Sequence, residues 1–129
     1  MNYQVADFVI RIKNAALAKR KGVVLPYSKL NLGIGKVLVK QGFLENIKEE
    51  GDKKKNLKGI IKYEKRRPVV NEIEIITKPS LRIYGGVKAI QNLARKGKRT
   101  IVISTSQGVM TGFEAKKKGL GGEILFAIW

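Results

Sequence analysis

The segment at residues 101–129 constrains the fold more than any other part of the chain. Ile101–Ile103 is a short β-branched apolar run, which is the composition of a buried strand. Hydroxyl side chains follow at Ser104–Ser106, and Gly108 then permits a sharp turn. A second apolar run occupies residues 124–129. The segment therefore predicts two strands, joined by a hydroxyl-rich turn, a short helix and a glycine loop.

The short helix in this segment is predicted from its two ends. Thr111 and Glu114 have the spacing of a capping box, in which the hydroxyl and the carboxylate each satisfy a free backbone N–H. Lys116–Lys118 would close the helix, where cations interact favourably with the negative end of the helix dipole. Gly119 is placed to take the left-handed conformation that often ends a helix.

Net charge is the strongest compositional signal. The chain has 27 Lys and Arg residues against 10 Asp and Glu residues, a formal net charge of +17. Such a chain attracts polyanions, either nucleic acid or an anionic membrane surface. A membrane-surface protein would more often show a long amphipathic helix with bulky apolar side chains, and no apolar run approaches the roughly 20 residues of a membrane span. The charge therefore favours nucleic acid, with a merely solvated basic surface as the alternative.

Residue types that the chain lacks argue against an enzyme. It has no His and no Cys, which removes the commonest general base, the commonest metal ligand and any thiol nucleophile. Thr105–Gly108 is not a Gly-x-Ser-x-Gly elbow, and Gly119–Gly122 lacks the Lys-Ser/Thr ending of a phosphate-binding loop. We predict no catalytic residues, no metal, no cofactor and no small-molecule substrate. Missing export signals and missing Cys fit a cytoplasmic protein.

The first half of the chain predicts an α/β module. Apolar residues recur at three- and four-residue steps over residues 3–19, which predicts an amphipathic helix. A second helix is expected over residues 29–41, with Ser28 as its N-cap and Gly42 as its stop. Strands are predicted at residues 23–25, 43–48 and 57–64, with a charged turn at 50–56. The buried stripe of the first helix is Val5, Phe8, Val9, Ile12 and Ala16.

The second half predicts a β-rich module with short helices. Strands are expected at residues 72–75 and 81–84, and a helix is expected over residues 87–97. The change in charge and the proline at residues 64–68 mark the connection between the modules. The predicted fold class is α+β, with an N-terminal α/β module at residues 1–66 and a C-terminal β-rich module at residues 67–129.

Polar groups in the second module fit RNA. Hydroxyls suit phosphate oxygens, 2′-hydroxyls and base edges, although Ser104–Ser106 could equally cap a turn. Tyr84 could stack on an unpaired base or pack on lysine stems. Gly121 and Gly122 could admit a phosphate or simply form a turn. Phosphate repels a carboxylate, so Glu123 near RNA would accept from a base amino group or orient a neighbour.

A family resemblance adds to these observations. Ile103–Thr111, followed by Glu114-Ala115, Lys117–Gly119 and Gly121–Glu123, closely resembles the C-terminal signature of the bacterial small-subunit ribosomal protein S-eight family. The final Trp129 extends this likeness. The similarity continues over nearly the whole chain, since Ala6-Asp7 with Arg11–Ala15, and Lys78-Pro79 with Leu81–Tyr84, resemble the family's first helix and central motif.

This resemblance implies a fold and a function. The family's two domains, α/β and β-rich, are tightly associated. Members are structural constituents of the small ribosomal subunit that bind the central domain of 16S rRNA directly and help to organise subunit assembly. Neighbouring small-subunit ribosomal proteins are the other expected partners. The alternatives are a translational repressor that binds a messenger RNA mimicking the rRNA site, and a basic RNA-modifying enzyme.

The resemblance also implies which residues bind rRNA. The main contact is expected in the C-terminal module, with a second contact from the N-terminal module to a neighbouring part of the RNA. The C-terminal set is Lys78, Arg82, Tyr84, Ser104, Thr105, Ser106, Gly108, Lys116, Lys117, Gly121, Gly122 and Glu123. The N-terminal set is Arg11, Asn14, Ala15 and Lys29.

Overall fold

The chain divides after Asn71 into two units, Met1–Asn71 and Glu72–Trp129. The computed structural model describes residues 4–77, 82–86, 88–90 and 99–129. Each unit combines helix with antiparallel sheet, which confirms the predicted α+β fold. Residues 66 and 67, between which the sequence places the domain boundary, both belong to the first unit. That boundary, as a limit of independent folding, stays a prediction.

Two amphipathic helices belong to the first unit, α1 (Gln4–Leu17) and α2 (Lys29–Lys40). All five residues of the predicted α1 stripe are buried, so the periodicity identified the packed face. Helix α2 begins as predicted, because the Ser28 hydroxyl accepts a hydrogen bond from the Asn31 N–H at 3.0 Å. It ends before Gly42, whose φ of +83° suits glycine.

A three-stranded antiparallel sheet completes the first unit. Its strands are β1 (Gly22–Pro26), β2 (Leu44–Glu50) and β3 (Asn56–Ile61), in the order β1-β3-β2. Gly35 within α2 is explained by packing, since a Cβ there would lie 2.1 Å from Ile47 Cδ1. A small hairpin follows, formed by β4 (Tyr63–Glu64) and β5 (Arg67–Pro68).

A five-stranded antiparallel sheet forms the second unit. Its strands are β6 (Ile73–Ile75), β7 (Tyr84–Gly85), β8 (Thr100–Thr105), β9 (Gly108–Thr111) and β10 (Gly122–Ile128). The order is β6-β10-β8-β9, and β7 also pairs with β10. Helix α3 (Gly112–Lys118) packs on this sheet and buries Gly112 and Ala115. Because β10 is bordered by three strands, its residues Ile124–Ile128 are all buried.

The ends of α3 match the prediction. The Thr111 hydroxyl accepts a hydrogen bond from the Glu114 N–H at 3.2 Å, which confirms the threonine half of the capping box. Gly119 is left-handed, with φ +67°, and its N–H bonds to carbonyl oxygens of the last turn. Of the helix predicted over residues 87–97, residues 88–90 are helical, and the remainder lies outside the described residues.

Two predictions in this unit are wrong in detail. Strand β9 was missed, because residues 106 and 107 alone form the turn and the chain pairs with β8 again from Gly108 onward. Of the strand predicted at residues 81–84, Arg82 and Ile83 are not in a strand, Tyr84 is the first residue of β7, and residue 81 lies outside the described residues. At Ile83 the backbone N–H donates to the Thr77 hydroxyl at 3.1 Å, so a side chain occupies the position that a strand partner would take.

Candidate RNA-binding site

A row of three predicted site residues lies across three strands at one end of the second sheet. Tyr84 on β7 pairs with Glu123 on β10, and Glu123 pairs with Ser104 on β8. Directly opposite residues of antiparallel strands place their side chains on the same face. Tyr84 is 70% exposed, so its ring stands open to solvent at one end of the row. The structure thus brings together residues from three separate segments of the chain.

Glu123 in this row is paired with a predicted basic residue. Arg82 Nη1 lies 3.2 Å from both carboxylate oxygens of Glu123. The Glu123 side chain is only 15% exposed, whereas Arg82 remains 46% exposed. The carboxylate therefore holds the guanidinium at the edge of the row, and Arg82 offsets a negative charge that would otherwise repel phosphate. Orienting a neighbour was one of the two roles considered for Glu123.

The hydroxyl run at the tip of the β8–β9 hairpin divides into different roles. The Thr105 hydroxyl donates to the Gly108 carbonyl at 2.8 Å and accepts from the Gln107 N–H at 3.1 Å. Thr105 therefore caps the turn, as the alternative interpretation allowed. Ser106 is exposed at the tip, and Ser104 is half-buried in the row. Gly108 has φ +113°, a conformation that side chains rarely adopt.

Gly121 and Gly122 are required by close packing of backbones. A Cβ on Gly122 would lie 2.1 Å from the Ser104 carbonyl oxygen and 3.2 Å from Thr105 Cα. A Cβ on Gly121 would lie 2.8 Å from the Gly85 carbonyl oxygen. Gly122 lies within β10, so the simple-turn interpretation does not describe it. The two glycines let the start of β10 fit between its neighbours; direct approach to a phosphate stays a prediction.

Sequence reasoning missed Thr77, which bonds to the residues next to Tyr84 and Glu123 of the row. Its hydroxyl donates to the Ile124 carbonyl at 2.5 Å and accepts from the Ile83 N–H at 3.1 Å, and the residue is fully buried. Thr77 therefore ties the segment that carries Arg82 and Tyr84 to β10. The only signal in the sequence was one hydroxyl residue at the end of an apolar run, which does not reveal a long-range partner.

Helix α3 adds cations to the same end of the unit. Strand β9 leaves the hairpin tip, and α3 then returns over about 10 Å, the length of its seven residues. The loop 119–121 leads directly into Gly122, beside Ser104. Lys116 and Lys117, both exposed, therefore lie toward the end of the sheet that carries the row. Lys78 lies outside the described residues.

Three of the four predicted N-terminal residues share a groove in the first unit. Arg11, Asn14 and Ala15 line a groove of about 540 Å³. Ala15 is 5% exposed and forms part of its wall. Lys29 is exposed at the first residue of α2 and is not among the lining residues. The other lining residues, which the prediction of the site did not include, are Ala18, Arg20, Gly22, Val23 and Val24.

Arg11 is positioned on this groove by two contacts. Its Nε donates to Asp7 Oδ1 at 3.1 Å, and the two residues are one helical turn apart. Its Nη1 donates more weakly to the Val24 carbonyl at 3.4 Å, across from helix to strand. Arg20 is placed by the Tyr63 hydroxyl, which donates to the Arg20 carbonyl at 2.5 Å. Two arginines thus line the groove, and arginine is the side chain best suited to phosphate.

Among the described residues, no three or more His, Cys, Asp or Glu side chains are grouped so that they could hold a metal ion. Of the helices in the described part of the chain, none is both long and apolar enough to cross a membrane.

Comparison with known proteins identifies the family. The model of the ribosomal protein S8 family matches residues 3–129. Small ribosomal subunit protein uS8 of Nitratiruptor sp. is 42% identical over 135 residues, covering 100% of this chain and 99% of that protein. The uS8 protein of Trichormus variabilis is 38% identical over 131 residues, and uS8c of Guillardia theta is 40% identical over 131 residues, each covering 99% of this chain and 98% of the relative. The chain therefore belongs to the ribosomal protein S8 family, whose members are ribosomal proteins of the small subunit and not enzymes.

Proposed function

We propose that this chain is a structural constituent of the small ribosomal subunit that docks on the central domain of 16S rRNA and helps to organise subunit assembly. The observation that carries the proposal is the row Tyr84–Glu123–Ser104, in which Tyr84 is exposed and Glu123 and Ser104 are half-buried, and which ends beside the hydroxyl tip of the β8–β9 hairpin. The row occurs in a chain of net charge +17 whose relatives are named small ribosomal subunit proteins. Charge supports affinity for RNA, and the row supports selectivity.

The mechanism follows from what RNA displays. The minor groove of an A-form helix is wide and shallow and shows 2′-hydroxyls and base edges, while irregular sites expose unpaired bases. Ser104 and Ser106 hydroxyls suit the 2′-hydroxyls and base edges, and the exposed Tyr84 ring suits an unpaired base. Arg82 and the lysines of α3 supply phosphate contacts, which position the RNA without reading its sequence.

The groove on the first unit supplies a second contact in this proposal. Arg11 and Arg20 bind phosphates there, and Asn14 bonds to sugar or base edges. Ala15 acts by its small size, because a larger side chain would fill the groove that it borders. Lys29, which is exposed at the start of α2, contributes long-range attraction.

The expected partners and location follow from the same proposal. The other partners are neighbouring proteins of the small ribosomal subunit, and the site of action is the ribosome in the cytoplasm.

A pair of hydroxyl substitutions tests the division of roles at the hairpin tip. Ser106→Ala is expected to weaken binding to a 16S central-domain fragment by two- to tenfold, roughly the value of one net hydrogen bond, without changing stability. Thr105→Val is expected to lower the free energy of unfolding by about 1 kcal/mol, because the turn loses its side-chain hydrogen bonds. Filter binding measures the first effect and urea denaturation the second.

The matched control for this pair is the double change Lys53→Gln and Lys55→Gln in the exposed turn between β2 and β3. It is expected to lower affinity for the fragment and for an unrelated RNA duplex equally, since it removes positive charge from an exposed turn. It also removes the contact of the Lys55 ammonium with the Tyr27 ring, at 5.5 Å. If Ser106→Ala left fragment binding unchanged while the lysine changes removed the discrimination between the two RNAs, the proposed surface would be wrong.

A further inference from the structure

Phe113 on α3 is an exposed aromatic residue that the core does not explain. It retains 67% of its surface, and it is absent from the buried cluster that α3 enters through Ala115. The Lys117 ammonium lies 4.7 Å from the centroid of the Phe113 ring, which is a cation–π distance. The ring is thus both open to solvent and in contact with a cation.

Helical geometry places a second cation beside this pair. Residues three and four apart on a helix are neighbours on its surface, so Phe113, Lys116 and Lys117 share one face of α3. The helix buries Gly112 and Ala115 against the sheet, and all three residues of that face are exposed. We call Phe113, Lys116 and Lys117 the α3 face.

We propose that the α3 face binds an unpaired nucleotide of RNA, with the base stacked on Phe113 and the phosphate held by Lys116 and Lys117. The proposal rests on the proposed RNA binding and adds a second nucleotide site to it, about one helical turn beyond the lysines that border the row. An aromatic ring with adjacent cations is the combination by which proteins hold single-stranded nucleic acid.

The composition of the α3 face distinguishes this ligand from a protein partner. An acidic peptide would pair with the lysines but would gain nothing from the ring, because a carboxylate has no π-face. An apolar protein surface would cover the ring but would have to bury Lys116 and Lys117, and lysine is depleted in the cores of protein interfaces. A nucleotide uses the ring and the charges at the same time.

The test compares two RNA hexamers of equal charge, one of adenosines and one abasic, in proteins that all carry Tyr84→Ala. That background removes the other exposed ring on this unit's site. The protein that carries Tyr84→Ala alone is expected to bind the adenosine hexamer about tenfold more tightly than the abasic hexamer, which is the effect of one base–aromatic stack. Phe113→Ser should reduce this ratio to about one, and Phe113→Trp should preserve it. Lys117→Gln should weaken both hexamers alike and reduce the salt dependence of binding.

Three outcomes overturn the inference. In the first, adding Phe113→Ser leaves the affinity ratio of the adenosine hexamer to the abasic hexamer unchanged. In the second, the protein that carries Tyr84→Ala alone already has a ratio near one. In the third, binding of a glutamate hexapeptide depends on Phe113 while binding of the two RNA hexamers does not, which would indicate a protein partner. Binding of the wild-type chain to the 16S fragment is measured in parallel. If the wild-type chain binds the fragment more tightly than an unrelated RNA duplex but Phe113 has no effect on the hexamers, only the nucleotide site on the α3 face is refuted. If the wild-type chain binds both RNAs equally, the proposed function itself is refuted.

Discussion

Replacing Gly122 by alanine is expected to lower the free energy of unfolding of the second unit by about 3 kcal/mol and to abolish selective RNA binding. The added Cβ would lie 2.1 Å from the Ser104 carbonyl oxygen and 3.0 Å from its carbonyl carbon. Both atoms belong to the backbone of a central strand, so no side-chain rotation relieves the overlap. The pairing of β10 with β8, which aligns Glu123 with Ser104, must therefore shift.

Fluorescence of Trp129, the only tryptophan, reports unfolding of this unit in a denaturant titration. Gly86→Ala is the matched control, because a Cβ there meets nothing within 4 Å and the residue has no positive φ. Gly86→Ala should raise the free energy of unfolding by less than about 1 kcal/mol, because alanine restricts the unfolded chain more than glycine does. A Gly122→Ala protein as stable and as selective as wild type would contradict the packing role of Gly122.

Replacing Thr77 by valine is expected to lower the free energy of unfolding by about 2 kcal/mol, because the Ile83 N–H loses its acceptor and the Ile124 carbonyl loses a buried donor. Valine has nearly the shape of threonine, so the loss of the hydroxyl dominates. We also expect about tenfold weaker binding to the 16S fragment, since the segment carrying Arg82 and Tyr84 loses one of its links to β10. Denaturation and RNA titration of the same samples measure both effects.

Thr77→Ser is the control for this prediction, because it keeps the hydroxyl and removes one methyl group. It should cost about 1 kcal/mol through lost apolar burial and should leave RNA affinity near the wild-type value. The account of Thr77 fails if serine weakens binding as much as valine, because the hydroxyl would then not be the group that matters.

Features set by local chemistry were predictable from the sequence. The buried stripe of α1, the Ser28 cap of α2 and the Thr111 and Gly119 ends of α3 depend on residues within one or two turns. Each of them follows from spacing alone, and each is confirmed by the structure. Strand β9 was missed because Gly108 was interpreted as the turn itself, whereas it is the first residue of the returning strand.

Features set by contacts between distant segments were not predictable from the residues. The need for glycine at position 122 arises from the backbone of Ser104, and the role of Thr77 arises from Ile83 and Ile124. Neither partner is indicated by spacing along the chain. The candidate site residues themselves came mainly from the family resemblance, and the residues alone left a turn-capping role open, which is the role that the structure assigns to Thr105.

In the proposed function, the row Tyr84–Glu123–Ser104 and the neighbouring hairpin tip recognise a specific RNA structure. We would test this by the binding of the wild-type chain to a fragment of the 16S central domain and to an unrelated RNA duplex, each titrated with salt. We expect the fragment to bind more tightly and the difference to survive at about 0.2 M salt, where purely electrostatic binding is strongly weakened. Equal binding of both RNAs, with an equally steep loss in salt, would contradict it, because the net charge of +17 alone would then explain the affinity.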